Sequence, residues 1–263
     1  MQNPDKTKYE VYQIVPGVTC INDYSDSTSY LVEGAGSALL IDTGWGAGNF
    51  MDILRGLTDK PVTLASTHMH HDHIRHASRF DKVYMHARDI ALLAANQDKE
   101  PWVDKVIPVK DGDVFDLGGV HVEAVAAAGH TPGSMAYLDP EHGAVFTGDA
   151  IGSGEGVWMQ VAAAIPLQAY RRSLHAFLKR LEECGPLTFL GGHIGQCGKP
   201  YTAGFNLLTI ATVRDMIALT DAIIKGEADE QPFFLAGREW PEQPYIARQG
   251  KAAIVYMKSN ILA

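Results

Sequence analysis

Residues 68–73 of the chain read His68-Met69-His70-His71-Asp72-His73, which places imidazoles and a carboxylate in the pattern His-x-His-x-Asp-His. Imidazole and carboxylate groups are ligands that suit zinc and its neighbours. The apolar segment 61–67 comes directly before this run and is typical of a buried strand. Because α/β enzymes place their sites at the carboxyl ends of strands, these six residues predict a metal site at a strand end.

The composition argues against several classes of partner. Lys and Arg number 22 against 31 Asp and Glu, and the resulting net charge of −9 disfavours a nucleic-acid partner, which needs a basic face. No apolar run reaches the roughly 18–20 residues of a membrane span, and no signal-peptide core is visible. Three scattered cysteines are typical of free thiols in a reducing compartment. We therefore expect a cytoplasmic protein with a small-molecule substrate and no membrane or nucleic-acid partner; the sequence does not fix its oligomeric state.

Short apolar runs punctuated by Gly, Pro, Asn and Ser predict that strands dominate, with helices in both halves. The predicted strands are 9–15, 18–23, 28–33, 37–41, 62–67, 82–86, 105–109, 114–117, 120–127, 134–138, 144–147, 187–190 and 252–257. Helices are predicted over 49–58, 87–97, 166–184 and 202–225, with Asn49 capping the first and Gly226 ending the last. No linker divides the chain, so we expect a single domain over 1–263 that forms a two-sheet sandwich with helices outside.

Three further segments end a predicted strand with a glycine-bearing turn and then present one potential metal ligand. They are Gly129–Ser134, which contains His130, then Phe146–Asp149 and Leu190–His193. Glycine in such a turn lets the backbone approach a ligand closely. Each signal alone is weak, because a Gly-Asp or Gly-His pair is usually a turn or a core histidine. In this order behind residues 68–73, the combination is specific.

With these motifs the chain resembles the metallo-β-lactamase-fold hydrolase superfamily, in the branch of glyoxalase II and the lactonases. The segments that carry the resemblance are residues 68–73, 129–134, 147–149 and 192–193, and Leu40-Ile41-Asp42-Thr43-Gly44 matches the superfamily's early strand-loop motif. The resemblance implies an α+β fold, a four-layer αββα sandwich of two mixed β-sheets with helices on the outer faces. It places the site in a cleft along one edge of the two sheets.

The resemblance also implies seven metal ligands in two neighbouring sites: His68, His70 and His130 in one, Asp72, His73 and His193 in the other, and Asp149 bridging both. Two divalent ions at such a site share a hydroxide, formed because metal coordination lowers the pKa of water to about 7. We predict Asp72 as the catalytic residue that orients this hydroxide and passes a proton to the leaving group. Asp42 is predicted to accept a hydrogen bond from a ligand histidine, with a simple turn aspartate as the alternative.

The candidate substrate pocket rests on less specific signals. Trp158 and Met159 follow alternate glycines and supply apolar surface, so residues 152–159 are predicted to face the substrate or, alternatively, to act as a passive connector. Arg75 and His76 follow the histidine run and line the pocket or lie on a solvated helix face. Tyr201 follows the last ligand loop and is a further pocket candidate.

The fold alone does not select a reaction. An aspartate at position 149 resembles thioesterases and lactonases such as hydroxyacylglutathione hydrolase and acyl-homoserine lactonase, whereas metallo-β-lactamases usually carry Cys or Ser there. We therefore predict a zinc hydrolase with two divalent ions, Fe or Mn being possible instead of zinc, that cleaves an ester, thioester or lactone bond. The alternatives are a β-lactam or phosphodiester hydrolase on the same site, and a mononuclear iron persulfide dioxygenase-like oxidoreductase.

Overall fold

The first seven strands of the chain form one mixed sheet. The computed structural model describes residues 8–23, 27–96, 100–152, 156–193 and 208–262. The strands of this sheet lie side by side in chain order: β1 (Tyr9–Val15), β2 (Val18–Asp23), β3 (Thr28–Glu33), β4 (Ala38–Ile41), β5 (Val62–Ala65), β6 (Val83–His86) and β7 (Ile107–Val109). The pairs from β1 to β4 are antiparallel, and the pairs from β4 to β7 are parallel.

Two smaller mixed sheets contain the remaining strands. The five-stranded sheet has the order β13-β11-β10-β9-β8 and is built from β8 (Val114–Asp116), β9 (His121–Ala126), β10 (Met135–Asp139), β11 (Ala144–Gly148) and β13 (Thr188–Gly191). The four-stranded sheet has the order β12-β16-β15-β14 and is built from β12 (Val157–Trp158), β14 (Glu230–Pro232), β15 (Tyr245–Gln249) and β16 (Ala252–Tyr256).

The helices of the described ranges are α1 (Phe50–Leu57), the single turn α2 (His71–Ile74), α3 (Ala87–Ala95), α4 (Leu167–Glu182) and α5 (Ile210–Lys225), together with 3₁₀ turns at Ala77–Arg79, Pro101–Lys105 and Lys258–Asn260. Gly226 ends α5 in the left-handed conformation, as predicted. Asn49 precedes α1, but its side chain does not cap the helix and instead donates to Asp52, so that detail of the prediction is wrong. None of the described helices is long and apolar enough to cross a membrane.

Successive side chains along the central strands point into different hydrophobic cores, and this alternation separates the layers of the fold. In β4, Leu39 and Ile41 enter the core between the seven- and five-stranded sheets, whereas Leu40 enters the core under α1. In β10, Tyr137 faces the inner core, whereas Leu138 packs on the side of α4 and α5. Because strand side chains alternate, a strand apolar at every position is buried on both faces. The fold is therefore the expected α+β sandwich, with helices on both outer faces.

The second half departs from the sequence prediction in its strands. No strand is predicted between residues 190 and 252, but the structure has β14 at Glu230–Pro232 and β15 at Tyr245–Gln249. These strands and β12 join β16 in a separate sheet, which packs with α4 and α5 in the same core as the five-stranded sheet. The second layer is thus divided between two hydrogen-bonded sheets. The part of the predicted helix 202–225 that precedes residue 208 lies outside the described residues.

Candidate metal centre

The strand ends converge at one edge of the sandwich. Asp42 and His68 follow the parallel strands β4 and β5. His130, Asp149 and His193 follow β9, β11 and β13, which all run in one direction because β9 and β11 are antiparallel to β10, and β13 is parallel to β11. The candidate ligands of the seven-stranded sheet and those of the five-stranded sheet therefore lie in one common cleft.

Hydrogen bonds to backbone carbonyl groups hold the edges of the two sheets together at this cleft. Thr67, just after β5, accepts from the Met135 N–H at the start of β10 at 2.8 Å. The Tyr137 hydroxyl donates to the carbonyl of Ser66 at 2.9 Å, and the Tyr30 hydroxyl donates to Gly191 O at 2.6 Å. These bonds fix the loops of one sheet relative to those of the other.

Three imidazoles form the first ligand group. His70 Nδ1 lies 3.1 Å from His68 Nε2 and 2.8 Å from His130 Nε2. Tetrahedral ligands held about 2.0–2.1 Å from one zinc ion lie about 3.3 Å from each other. The three nitrogens thus converge at nearly the spacing that one bound ion imposes, and the structure brings together the side chains that the family resemblance implies for the first site.

The second ligand group combines carboxylates and imidazoles. Asp72 Oδ2 lies 3.5 Å from both His73 Nε2 and His193 Nε2. Asp149 Oδ1 lies 3.5 Å from His73 Nε2 and 3.4 Å from His193 Nε2. These four distances are uniform and longer than a hydrogen bond, which is the pattern of atoms arranged around a common centre.

Asp149 faces both groups. Its Oδ1 belongs to the second group, and its Oδ2 lies 3.5 Å from His130 Nε2 of the first. A carboxylate whose two oxygens face different sets of ligands has the geometry of a bridge between two cations.

Hydrogen bonds at the outer ring nitrogens orient three of the histidines. His130 Nδ1 lies 2.7 Å from the carbonyl oxygen of Trp158, to which it donates. His73 Nδ1 lies 2.9 Å from Asp42 Oδ2, and His68 Nδ1 lies 3.0 Å from the Thr67 hydroxyl. A proton held on Nδ1 leaves the lone pair of Nε2 free for a metal.

Asp42 joins these contacts into one network. Its carboxylate accepts from the N–H of Thr67 at 2.7 Å and from the hydroxyl of Thr67 at 2.6 Å, in addition to His73. Its backbone φ is +58°, the left-handed region that aspartate tolerates better than most residues. The side chain is buried. Its hydrogen bond with His73 is a contact to a candidate ligand histidine, as predicted for Asp42.

The electrostatics of the two groups differ. Burial lowers the pKa of His68 well below its ordinary value, and burial beside His130 lowers the pKa of His70 to about 3, so both rings are neutral. Burial alone would lower the pKa of His73 too, but Asp149 and Asp72 raise it well above the ordinary value. The carboxylates of the second group therefore favour positive charge on the neighbouring imidazoles. A bound metal ion would supply that charge in place of the protons.

Orphaned polar atoms test whether the residues present fit a metal. His73 Nε2 and Asp149 Oδ1 are buried and make no hydrogen bond, although both face the centre of the second group. A Cβ on Gly192 would lie 2.4 Å from Asp149 Oδ1, so glycine is needed for the loop to pass this close. Buried polar atoms without partners are costly unless a ligand satisfies them, so the donor set fits a divalent cation.

The predicted pocket residues lie in different surroundings. The guanidinium of Arg75 lies 5.1 Å from the centre of the exposed Trp45 ring, beside the histidine loop. His76 stacks on Phe50 with ring centres 5.0 Å apart and lies 3.0 Å from Gly46 O, and together with Arg75 it lines an open surface cavity beside α1.

Residues 156–159 divide between the site and the core. Trp158 is half-buried, and its ring packs edge-on against Phe233 and Trp240 next to His130. Met159 is fully buried in the core beneath α4, so we assign it no substrate contact. Tyr201 and part of the glycine-rich loop, residues 153–155, lie outside the described residues.

Sequence reasoning missed Asp89. This residue on α3 is fully buried, and its carboxylate contacts the loops that supply His70 and His130. Its position offers one signal, because an acidic residue four positions before the core residue Leu93 lies on the inward face of the helix.

Comparison with known families agrees with this arrangement. The model of the metallo-β-lactamase superfamily matches residues 23–193, which is more than half of the chain and includes every predicted ligand. The chain belongs to the metallo-β-lactamase superfamily.

Curated relatives within the superfamily match part of the chain. The probable polyketide biosynthesis zinc-dependent hydrolase BaeB of Bacillus velezensis is 30% identical over 146 residues, 54% of this chain and 61% of that protein. The hydroxyacylglutathione hydrolase of Aeromonas salmonicida is 30% identical over 142 residues, 52% of this chain and 51% of that protein. An atrochrysone carboxyl ACP thioesterase of Aspergillus terreus is 29% identical over 144 residues, 51% of this chain and 43% of that protein. The chain therefore spans about half the length of the curated relatives it matches.

Solved structures of the superfamily share the fold. The DIM-1 metallo-β-lactamase superposes with a TM-score of 0.64 and covers 82% of this chain and 98% of that chain at 20% identity. At this identity the likeness concerns the fold alone and says nothing about the reaction.

Proposed function

We propose that the chain is a dinuclear-metal hydrolase that cleaves an ester, thioester or lactone bond of a small molecule. The observation that carries the proposal is the position of Asp149, whose two carboxylate oxygens face different groups of ligands. A site for a single ion would need neither the second carboxylate oxygen of Asp149 nor the second group of ligands. The named activities of the relatives, a zinc-dependent hydrolase, a thioesterase and a hydroxyacylglutathione hydrolase, support the reaction class and zinc.

In this proposal, His68, His70 and His130 hold one divalent ion, and Asp72, His73 and His193 hold the second. When bound, such ions supply Lewis acidity, which polarises the scissile carbonyl and lowers the pKa of a water molecule from near 16 to about 7. The chain itself contributes rigid positions for the ions, because hydrogen bonds from the outer nitrogens fix the rings.

Asp72 is the proposed catalytic residue. Its side chain is 38% exposed, whereas that of Asp149 is 5% exposed, so Asp72 is the ligand carboxylate that a substrate and water can reach. Only its Oδ2 faces the second group. We propose that the Asp72 carboxylate takes the proton of the attacking water and delivers it to the departing oxygen or sulfur, which balances the hydrolysis.

A metal assay followed by a substrate panel tests the proposal. Purified protein is expected to contain two zinc ions per chain and to turn over thioesters, esters or lactones. The variant Asp149→Asn is expected to lose metal and turnover together. The matched control Asp139→Asn changes an equally buried carboxylate that contacts His142 at the far end of β10, and it should keep both.

The same panel separates the alternatives. Preferred turnover of a β-lactam or a phosphodiester would replace the proposed bond class while keeping the dinuclear site. Oxygen consumption with a persulfide by protein that contains one iron would refute hydrolysis altogether. Full metal content and full turnover in Asp149→Asn would refute the bridging role.

A further inference from the structure

Asp89 carries three hydrogen bonds that the ligand geometry depends on. Its Oδ2 accepts from the Met69 N–H at 3.0 Å and from the Thr131 hydroxyl at 2.7 Å. Its Oδ1 accepts from the Gly133 N–H at 2.8 Å. The side chain is fully buried, so these donors replace the water that a carboxylate would otherwise require.

The three donors flank metal ligands on two different loops. Met69 lies between His68 and His70, on the loop that follows β5 of the seven-stranded sheet. Thr131 directly follows His130, on the loop that follows β9 of the five-stranded sheet. A single carboxylate therefore ties together the two loops that supply all three imidazoles of the first group.

The local structure is arranged to admit this carboxylate. Asp89 lies in the first turn of α3, which is capped by the side chain of His86 accepting from the Arg88 N–H. A Cβ on Gly133 would lie 2.5 Å from Asp89 Oδ1, so only glycine allows the turn to come this close. The Thr131 hydroxyl is held from its other side by Ser134 Oγ at 2.8 Å.

Packing alone does not explain an acid at this position. The neighbouring residues Ile90 and Leu93 of α3 pack against the core beside the seven-stranded sheet, and an apolar side chain at 89 would extend that contact. Burying a carboxylate there is unfavourable unless its hydrogen bonds are needed. Those bonds all go to the backbone and hydroxyl groups beside ligands, not to distant parts of the fold.

We propose that Asp89 is a positioning residue that sets the separation of His70 and His130 and thereby the affinity of the first site for its ion. The inference deepens the proposed function and rests on its first metal site. The 2.8 Å between His70 Nδ1 and His130 Nε2 is the quantity that the Asp89 contacts control. Two further hydrogen bonds between these segments, from the Met135 N–H to Thr67 O and from the Tyr137 hydroxyl to Ser66 O, lie on the strand side of His68 and away from His70.

The affinity of each site is best measured in chains that retain one ligand group. In the His193→Ala background the three imidazoles of the first group remain complete, and in the His130→Ala background Asp72, His73 and His193 of the second group remain complete. Zinc dissociation constants are obtained by competition with a chromophoric chelator, and the Co(II) absorption spectrum reports the ligand geometry. Neither readout requires turnover.

Asp89→Asn is expected to weaken zinc binding about 10- to 100-fold in the His193→Ala background and to leave it unchanged in the His130→Ala background. Gly133→Ala should act in the same direction, because its Cβ displaces the carboxylate. Thr131→Ser keeps the hydroxyl donor and should bind as tightly as the parent, whereas Thr131→Val should bind more weakly. Asp139→Asn is the matched control for loss of a buried carboxylate and should change neither site.

Three results would overturn the inference. Unchanged affinity of the first site in both Asp89→Asn and Gly133→Ala would show that the contacts do not matter for binding. Equal weakening of the two sites would show a general structural effect. If the unsubstituted chain binds two ions and Asp89→Asn binds both with the same affinities, the role of Asp89 is refuted while the proposed function stands. If the unsubstituted chain binds no ion, the proposed function itself is refuted.

Discussion

Replacing Asp42 by asparagine should weaken the second metal site through a change of histidine tautomer. Asp42 Oδ2 accepts from His73 Nδ1 at 2.9 Å and from the Thr67 hydroxyl at 2.6 Å, and Oδ1 accepts from the Thr67 N–H at 2.7 Å. An amide has only one acceptor oxygen, and the Thr67 N–H needs it. The NH₂ group then takes the place of Oδ2 and faces His73 Nδ1.

An amide NH₂ can pair with His73 only if Nδ1 gives up its proton. The proton of the neutral ring then lies on Nε2, the atom that faces Asp72 and Asp149 at 3.5 Å. A protonated Nε2 cannot bind a metal. Loss of such an orienting contact reduces metal affinity about 10- to 100-fold, which is about 1.4–2.8 kcal/mol.

The backbone makes asparagine the informative substitution. With φ at +58°, residue 42 is in the left-handed region, which asparagine tolerates and which costs alanine about 1–2 kcal/mol. Asp42→Ala also leaves the Thr67 N–H buried without an acceptor, so the free energy of unfolding of this variant should fall by about 2–5 kcal/mol. Asp42→Asn avoids the strain and changes the hydrogen bonds at the position of Oδ2, to His73 and to the Thr67 hydroxyl.

Competitive zinc titration of Asp42→Asn, with the unsubstituted chain and Asp139→Asn as controls, measures the effect. We expect weaker binding of the ion held by Asp72, His73 and His193 and a smaller effect on the other ion, which Asp42 reaches through the Thr67 hydroxyl beside His68 Nδ1. Denaturant unfolding of the metal-free proteins shows whether the fold is intact. Equal affinities for Asp42→Asn and the unsubstituted chain, in a folded protein, would refute the tautomer argument.

Three substitutions outside the ligand set test other parts of the structure. Burial raises the pKa of Asp89 from 3.8 to about 6, so the folded metal-free chain binds this proton more tightly than the unfolded chain does. The contribution of Asp89 to the free energy of unfolding should therefore fall by about 2 kcal/mol from pH 4 to pH 6, and denaturant titrations of Asp89→Asn should lack this slope. Trp158→Ala removes the ring but keeps the carbonyl that accepts from His130, so KM should rise at constant metal content; metal loss would contradict this reading. Tyr170→Phe deletes the buried hydroxyl that donates to Ala150 O at 2.7 Å, and thermal unfolding should show a loss of about 1–2 kcal/mol without a change in turnover.

The grouping of the candidate ligands could be predicted from the sequence because each of them follows a strand that can be recognised from its local sequence. Strands β1, β2 and β3 have the predicted bounds, since apolar runs there end at Gly, Pro or Asn. The carboxyl ends of such strands meet in space, so a ligand at each end is enough to predict the cluster. His130, Asp149 and His193 illustrate this, although they come from loops far apart in sequence.

What the sequence did not predict depends on contacts between distant segments. Strand β12 pairs with β16 about one hundred residues later, and no local pattern marks the two residues of β12 as a strand. Met159 is buried by α4, although it follows a glycine-rich stretch that favours exposure. Asp89 was missed for the same reason, because its partners are two backbone N–H groups and the Thr131 hydroxyl, whose positions only the tertiary fold defines.

Anomalous diffraction from a crystal of the zinc-loaded protein tests the central claim most directly. We predict two zinc peaks in each chain, one surrounded by His68, His70 and His130 and one by Asp72, His73 and His193, with Asp149 reaching both. A single peak, or zinc bound elsewhere while these side chains keep their present contacts, would contradict the dinuclear centre and the hydrolytic function built on it.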